Sequence, residues 1–268
     1  MESLADKLDA SRWFERWEAM QNGYIPQRLY RFDLMLQLAV LPRDSEVQIL
    51  DLGCGPGSLA LRALQYYPQA RVVAVDSDPV LLALGEQVAQ ERHSRIRFLQ
   101  ADIRQGDWWA AYSGTFDLAM SATALHWLNA EHLTQTYQRI YQALKPGGCF
   151  MNSDHIASDD AATQAQYRQM LRERQQAAFR ATDADSWDGF WQKLGAELNW
   201  PDLDKLRGEA ELWEGSDDGL PKGFHLAALR ECGFARIAFH WQDLGEAVIG
   251  AQRPYRQRAS ERSAPGSP

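Results

Sequence analysis

Apolar positions along the chain follow two periods, and the change between them predicts where helices and strands lie. Residues 3–41 repeat every three to four positions in two segments, broken at Gly23 and Pro26, which predicts two helices. From residue 47 onward, short apolar runs alternate with helical patterns. The helical patterns cover 57–68, 79–92 and 131–144. This alternation predicts βαβ units that build a parallel sheet.

The apolar runs themselves predict seven strands. Five of them are VQILDLG, RVVAVDS, IRFLQAD, FDLAMSAT and CFMNSDHI. Further on, the helical stretch GFHLAALRECGF precedes two strand patterns, ARIAFHWQD and EAVIGAQRP, which meet at Leu244 and Gly245 in a predicted hairpin. Right-handed crossovers bring the carboxyl ends of parallel strands to one edge of the sheet. The predicted fold is a doubly wound α/β fold: a mostly parallel seven-stranded sheet, helices on both faces, and an antiparallel last strand.

The strand rhythm stops after Ile156, and this break sets the predicted domain organisation. Residues 157–222 contain helical patterns, no convincing strand, and 14 acidic against 8 basic residues. This segment is predicted to be a helical insertion that covers the sheet edge as a lid. The other predicted units are an N-terminal helical cap at 1–42, a core at 43–156 and 223–254, and a disordered polar tail at 255–268.

Composition and charge narrow the range of partners. The 268 residues carry a net charge of −8, whereas nucleic acids and anionic membranes call for a basic surface. No apolar run approaches the roughly 20 residues that span a bilayer, and the acidic, polar N-terminus is unlike a secretory signal. Three scattered cysteines argue against a disulfide framework or a metal site. We therefore expect a cytoplasmic protein, monomer or homodimer, that binds neither nucleic acid, membrane nor metal.

A glycine-rich turn between the first strand and its helix is the strongest chemical signal. The stretch ILDLGCGPGS has the pattern G-x-G-x-G from Gly53, and Ser58 stands where a dinucleotide fingerprint would have its third glycine. Asp51 precedes the turn, while Asp76 and Asp102 end the second and third strand patterns. Three carboxylates would repel a pyrophosphate but tolerate an ammonium and a sulfonium. The turn therefore favours S-adenosylmethionine over NAD as cofactor.

These motifs, in this order, resemble those of the class I S-adenosylmethionine-dependent methyltransferases. The matching stretches are ILDLGCGPG, VVAVDSDP, FLQADI, FDLAMSATALHW and ALKPGGCFM. The resemblance covers residues 45–156 closely and residues 223–254 by topology. It implies an enzyme that uses S-adenosylmethionine and has the fold predicted above.

The resemblance also implies roles for the residues around the glycine turn. Asp51, Gly53 and Gly55 would line the methionine end of the cofactor. Asp76 would hold the ribose hydroxyls, with Ser77 beside it. These positions follow the family's motifs residue by residue.

Further along the chain, the resemblance assigns the adenine and methyl ends. Asp102 would meet the adenine amino group, and the backbone of Ile103 would meet a ring nitrogen. The segment 121–123, beginning with Ser121, would run toward the methyl group. In many members an N-terminal residue pairs with the cofactor carboxylate; Arg28 and Arg31 are the candidates, since arginine makes bidentate contacts. Either arginine could instead lie on a solvated helix face.

Two histidines are candidates for catalysis on the acceptor side. His126 and Trp127, in TALHWL, resemble a segment of members that methylate carboxylates, such as trans-aconitate, malonyl-carrier-protein and juvenile hormone acid methyltransferases. A carboxylate is already ionised, so His126 would orient it by hydrogen bonding rather than deprotonate it. His155, at the end of the fifth strand, is a second candidate for a base or an orienting group. Both rings could also serve packing alone.

Aromatic residues mark a possible acceptor pocket. Besides Trp127, the predicted substrate contacts are Trp13 in the first helix and Trp187 and Trp191 in the insertion. Trp187 and Trp191 are four residues apart and share a helix face. The alternative is that these rings form core.

The predicted function is methyl transfer from S-adenosylmethionine to a small-molecule acceptor, with a carboxylate or another oxygen favoured. One alternative is N- or C-methylation of a larger substrate such as a modified tRNA base, against which the acidic balance counts. Another is a non-catalytic S-adenosylmethionine-binding regulator, which a damaged glycine turn or a missing Asp76 would favour. Neither defect is present.

Overall fold

Seven strands of the described part of the chain form one sheet, in which residues 96–100, 71–76, 48–52, 116–122, 144–155, 246–252 and 235–243 lie side by side in this order. The computed structural model describes residues 8–200, 203–207 and 214–255. The strands are β1 (Gln48–Leu52), β2 (Arg71–Asp76), β3 (Ile96–Gln100), β4 (Phe116–Ala122), β5 (Leu144–His155), β6 (Ala235–Asp243) and β7 (Glu246–Gln252). Strands β1 to β5 pair in parallel, whereas β7 runs antiparallel to both β5 and β6. The predicted fold is confirmed, including the antiparallel last strand.

The three helical patterns at 57–68, 79–92 and 131–144 correspond to helices to within about two residues, whereas the first helix begins at Ala10 and not at the start of the predicted segment 3–41. The helices are α1 (Ala10–Tyr24), α2 (Arg28–Leu38), α3 (Ser58–Tyr66), α4 (Pro79–Glu91), α5 (Ala130–Ala143), α6 (Ala161–Ala181), α7 (Trp187–Leu198), α8 (Leu203–Arg207) and α9 (Lys222–Glu231). Local signals set several starts: Asp78 accepts hydrogen bonds from Val80 N and Leu81 N ahead of α4, with Pro79 at its first position.

Apolar side chains cover both faces of the sheet and so fix it between helices. On one face, α2 and α3 pack through residues such as Phe32, Leu36 and Leu59. On the other, α5 and α9 contribute Tyr137 and Leu229 to a second cluster. Removing this apolar surface from water is the main stabilising term for such a layered fold.

β5 begins earlier than its apolar run predicted, at Leu144 rather than near Cys149. Leu144 pairs with Phe116 of β4, and the glycines that follow it pair with residues beyond β7. Gly147 N donates to the carbonyl of Arg253 (2.9 Å), and Arg253 N donates to that of Gly148 (2.8 Å). Because Gly147 has φ +87°, the turn can bend into this ladder, and the KPGG segment is drawn into the sheet.

Between β5 and α9 the described residues form helices α6, α7 and α8 and no ladder strand. A single bridge, Ala157 to Pro221, brings the two ends of this segment together beside the sheet edge. Helix α1 packs against α4, α6 and α7, with Trp13 and Phe190 in their shared core. The predicted tail from residue 256 onward lies outside the described residues. Within the described ranges, no helix combines the length and apolar character needed to cross a membrane.

Candidate active site

A cavity of about 660 Å³ lies at the carboxyl edge of the parallel strands. Its walls come from the loops after β1, β2, β3 and β4, and from parts of α1, α2 and α6. Most predicted site residues line it: Arg28, Asp51, Gly53, Gly55, Asp76, Ser77, Asp102, Ile103, His126, Trp127, His155 and Trp187. Residues separated by more than a hundred positions therefore meet in one space.

The glycine turn and the carboxylate after β2 are bonded to each other. Gly55 N donates to Asp76 Oδ2 (2.7 Å), and Asp78 N donates to Asp76 Oδ1 (2.9 Å). Burial raises the pKa of the Asp76 carboxyl, while these two backbone donors oppose the rise. At Gly53, with φ +64°, a Cβ atom would lie 2.3 Å from the Cβ of Ala124. The loop after β4 approaches so closely that only glycine fits at this position.

Asp51 is a buried carboxyl on the cavity wall. Its Oδ2 has no hydrogen-bond partner among the described residues, and burial raises its pKa to about 8. A cationic group entering the cavity would stabilise the ionised form. The cofactor that the resemblance implies carries an ammonium and a sulfonium, and this buried, unpartnered oxygen beside Asp76 fits such a ligand.

At the far end of the cavity, Asp102 is held by an arginine that sequence reasoning missed. The Arg104 guanidinium donates to both Asp102 oxygens at 2.7–3.0 Å and through Nη1 to Glu214 (2.8 Å). Burial alone would raise the pKa of the Asp102 carboxyl, but its bonds to Arg104 outweigh that effect and lower it. Arg104 follows Asp102 by two residues, so an acid-x-arginine pattern at a strand end was the available signal. The carbonyl of Ile103 is bonded by Arg139 (2.7 Å).

His126 and His155 lie together, with ring centroids 4.7 Å apart. His126 Nδ1 is 2.7 Å from Oδ1 of Asp154, which leaves Nε2 of His126 for a ligand. Burial would raise the pKa of Asp154, but His126 and nearby donors lower it to about 2. Burial and then the charge of His126 lower the pKa of His155 to about 4. Asp154 was missed because strand alternation puts it and its neighbour His155 on opposite faces.

The two candidate arginines are both buried, so neither lies on a solvated helix face. Arg28 lines the cavity, is 6% exposed and bonds Glu18 through Nη1 (2.8 Å). Arg31 is 1% exposed and lies away from the cavity wall, with Nη1 3.3 Å from Oε1 of Glu246. Burial lowers the pKa of Arg31. Of the two, Arg28 is the one that can reach a ligand.

Ser121 does not line the cavity, which corrects its predicted place beside the ligand. It is fully buried and its hydroxyl donates to the carbonyl of Leu52 (2.7 Å), joining β4 to β1. The cavity wall begins one residue later, and Thr123 there has φ +51°. A strained residue at this point turns the chain toward His126.

Two of the four predicted tryptophan contacts also belong to the core. Trp13 is fully buried with its ring 5.3 Å from that of Phe190, and its Nε1 donates to Glu197 (2.9 Å). Trp191 packs in the same cluster. Trp17, an aromatic residue of the same helix that was not among the predicted substrate contacts, lines the cavity together with Trp187. The helical period correctly grouped these rings but could not tell which of them face a cavity.

No group of three or more metal-ligating side chains occurs within the described ranges.

Comparison with known proteins agrees with this geometry. A family model described as "Methyltransferase domain" matches residues 49–148. The trans-aconitate 2-methyltransferase of Deinococcus radiodurans is 34% identical over 124 residues, 44% of this chain and 44% of that protein. The malonyl-[acyl-carrier protein] O-methyltransferase of a Paenibacillus species is 36% identical over 109 residues, 40% of this chain and 38% of that protein. The matched part therefore spans less than half the length of these relatives.

Solved structures show the same fold. Human N-acetylserotonin methyltransferase, determined with S-adenosylmethionine, superposes with a TM-score of 0.52 at 18% identity, over 94% of this chain and 60% of that one. An S-adenosylmethionine-dependent methyltransferase named SibL superposes with a TM-score of 0.53 at 19% identity, over 83% and 55%. Residues 49–148 therefore match a methyltransferase domain, and the glycine turn, its acidic partners and the strand order resemble those of the class I S-adenosylmethionine-dependent methyltransferases.

Proposed function

We propose that the protein transfers a methyl group from S-adenosylmethionine to an oxygen of a small-molecule acceptor, and that this oxygen belongs to a carboxylate. The observation that carries the proposal is the pair His126 and His155 on the cavity wall, with Nδ1 of His126 occupied by Asp154. When bound, the cofactor supplies a methyl group on a cationic sulfur, which an oxygen lone pair displaces while the sulfur–carbon electron pair returns to sulfur. A carboxylate reacts in this way without losing a proton.

The charges around the cavity support a division between cofactor and acceptor ends. Asp51, Asp76 and Asp102 would hold the ammonium, ribose and adenine of the cofactor, while Arg28 is near enough to the cavity to pair with its carboxylate. Their role is to fix the methyl donor in one orientation, so that the acceptor needs only to be aligned with it.

The cavity wall also carries cationic side chains from α6. Arg172 lines the cavity and makes no ion pair within the described part of the chain. Arg168 lines it as well, but its guanidinium is bound to Asp218. An arginine on the cavity wall without an ion-pair partner in the described part of the chain favours an anionic acceptor.

The size and cover of the cavity favour a small acceptor over a nucleic acid. A volume of about 660 Å³ is within the range of small-ligand and cofactor pockets. The two curated relatives are named for methyl transfer to trans-aconitate and to malonyl-acyl carrier protein, which further supports an acidic oxygen acceptor. We also propose a cytoplasmic location, because the three cysteines are free thiols, as in a reducing compartment. The monomeric or homodimeric state stays a prediction.

The test is incubation with methyl-labelled S-adenosylmethionine and, separately, trans-aconitate, a panel of other small carboxylic acids, small phenols, and bulk tRNA. We expect label in a base-labile methyl ester of one acid and none with Asp76→Ala. Label in tRNA or in an amine would reject the carboxylate proposal. Cofactor binding with no labelled product from any of these acceptors would favour a binding protein without transferase activity.

A further inference from the structure

We propose that Arg104 and Glu214 are positioning residues that join the adenine end of the cavity to the loop that carries His126, so that a purine amino group at Asp102 orders the acceptor side. This inference rests on the proposed function and goes beyond it by naming the residues that make acceptor alignment depend on the bound cofactor. It predicts that the cofactor binds before the acceptor.

Arg104 is the first link of this connection, and it occupies the whole carboxylate of Asp102. Its backbone N and its Nε donate to Oδ1 of Asp102 at 2.8 and 3.0 Å, and its Nε and Nη2 donate to Oδ2 at 3.0 and 2.7 Å. An ionised carboxylate has about four lone-pair sites, and these contacts fill them. A further donor to Asp102 must therefore displace part of Arg104.

The side chain of Glu214 is the second link. Nη1 of Arg104 donates to Oε1 of Glu214 (2.8 Å), although the two residues are 110 positions apart in the sequence. Oε2 of Glu214 accepts from Nδ2 of Asn129 (3.0 Å) and is bonded to Nδ1 of His132. Asn129 and His132 lie at the start of α5. One carboxylate thus joins the loop after β3 to the start of α5.

The backbone at Glu214 holds the histidine loop itself. Glu214 N and Gly215 N both donate to the carbonyl oxygen of Trp127, at 3.1 and 2.8 Å. A Cβ atom at Gly215 would lie 2.1 Å from the carbonyl oxygen of His126, so the two segments pack in direct contact. A shift of residue 214 therefore changes the contacts of the residue next to His126.

Burial of Arg104 supplies the energy difference that such a connection needs. Its side chain is 7% exposed, and a buried charge requires partners. When another donor takes part of Asp102, the guanidinium depends more on Glu214, so the bond between Arg104 and Glu214 is stronger with the adenine site filled than with it empty. A ligand shifts a conformational equilibrium only through a difference of this kind.

Amide exchange with adenosine tests the connection without any methyl transfer. Adenosine should slow exchange of the Glu214 and Gly215 amides by about fivefold, which is the lower end of typical coupling between two sites. Purine riboside, which lacks the amino group, should leave that exchange unchanged. Equal slowing by both nucleosides, or no slowing by saturating adenosine, overturns the proposal.

Variants of Glu214 test whether the effect passes through this residue. Glu214→Ala should bind adenosine without slowing exchange of the Gly215 amide, and Glu214→Gln, which keeps one oxygen for Arg104, should recover part of the slowing. Asp243→Ala is the matched control, because Asp243 also binds an arginine, Arg174, and its side chain is 27% exposed against 29% for Glu214. A full adenosine response in Glu214→Ala would contradict the inference.

Kinetics with trans-aconitate, or with whichever acid the acceptor screen identifies, provides the second arm. At saturating cofactor, Glu214→Ala should lower kcat/KM for the acceptor by about tenfold, because alignment with the methyl donor sets the rate. Asp243→Ala should match the wild type, and an unchanged kcat/KM in Glu214→Ala would contradict the inference.

The two arms separate this inference from the proposed function. Absence of any carboxylate product from the wild type would reject the proposed acceptor, while the exchange result with adenosine would stand. If S-adenosylmethionine raises the Tm but adenosine leaves the exchange of residues 214 and 215 unchanged, the connection is rejected and the cofactor assignment stands.

Discussion

The backbone NH of Gly55 lies 2.7 Å from Oδ2 of Asp76, so the glycine turn after β1 and the carboxylate after β2 form one rigid unit. The second oxygen of Asp76 is held by Asp78 N at 2.9 Å. Each oxygen retains an unused lone pair, and two such acceptors side by side suit the two hydroxyls of a ribose.

Asp76→Ala should therefore abolish most of the stabilisation that S-adenosylmethionine gives. At a ligand concentration 100 times the dissociation constant, binding stabilises the wild type by about 2.7 kcal/mol. Thermal unfolding with and without ligand measures this, and NAD should give no shift. Asp33→Ala, which breaks a surface pair with Arg62, is the matched control. An unchanged shift in Asp76→Ala would mean that the cofactor binds elsewhere.

Asp51 should make the ligand-free protein less stable as pH rises. Its folded pKa is about 8, against about 3.9 for an unfolded aspartate, so between these values the folded state holds one more proton. The free energy of unfolding therefore falls from about pH 4 to about pH 8. Asp51→Asn should flatten this decline and raise the Tm at pH 8, by about 2–4 °C for each kcal/mol regained.

The same substitution should weaken S-adenosylmethionine binding at least tenfold, because the ammonium loses its carboxylate. Calorimetry in buffers of different ionisation enthalpy should also show proton release on binding to the wild type and none with Asp51→Asn. A variant with unchanged stability-versus-pH slope and unchanged affinity would contradict both expectations.

Gly219→Ala should lower the rate of methyl transfer to the acceptor without weakening cofactor binding. Gly219 has φ +70°, and a Cβ atom there would lie 2.3 Å from the carbonyl oxygen of His155 and 3.4 Å from Cβ of His126. The segment must shift, at a cost of about 1–3 kcal/mol. We expect a lower kcat and a lower Tm with the cofactor Kd kept. Gly223→Ala, with no atom within 4 Å of its added methyl, should behave like the wild type; equal effects of both substitutions would refute the argument.

Arg207 should hold α7 against Asp78, the residue that precedes α4. Its Nε donates to Asp78 Oδ2 (2.8 Å), and its guanidinium carbon lies 3.3 Å from the ring centroid of Trp191. Arg207→Met keeps length but removes the charge, so α7 should exchange its amide protons faster. Bound cofactor and acceptor should slow that exchange in the wild type. Arg180 at the end of α6 is exposed, so Arg180→Met is the control. Identical amide exchange of α7 in all three proteins would show that the Arg207 contacts do not stabilise α7.

The sequence predicted the elements and the cofactor half of the cavity because those signals are local. The glycine turn, Asp76 and Asp102 each sit at a strand end, and strand order brings strand ends together. The sequence could not predict that Asp154 contacts His126, because that contact depends on how the end of β5 packs against the loop after β4. Trp13 and Trp17 show the same limit: one helical period places both inward, and only the packing of α7 decides that Trp13 is core and Trp17 faces the cavity.

The insertion of β7 between β5 and β6 has a consequence for synthesis on the ribosome. Glu246, the first residue of β7, contacts Arg31 near the start of the chain and His155 in the middle, a sequence separation of about 215 residues that makes this a late, high-contact-order step. A nascent chain can already form the glycine turn and its βαβ surroundings. Strand β7, which pairs with His155 through Glu246, is added only when the C-terminal hairpin has left the exit tunnel. The growing polypeptide therefore passes through a stage in which the glycine turn can form while the strand beside His155 is still missing.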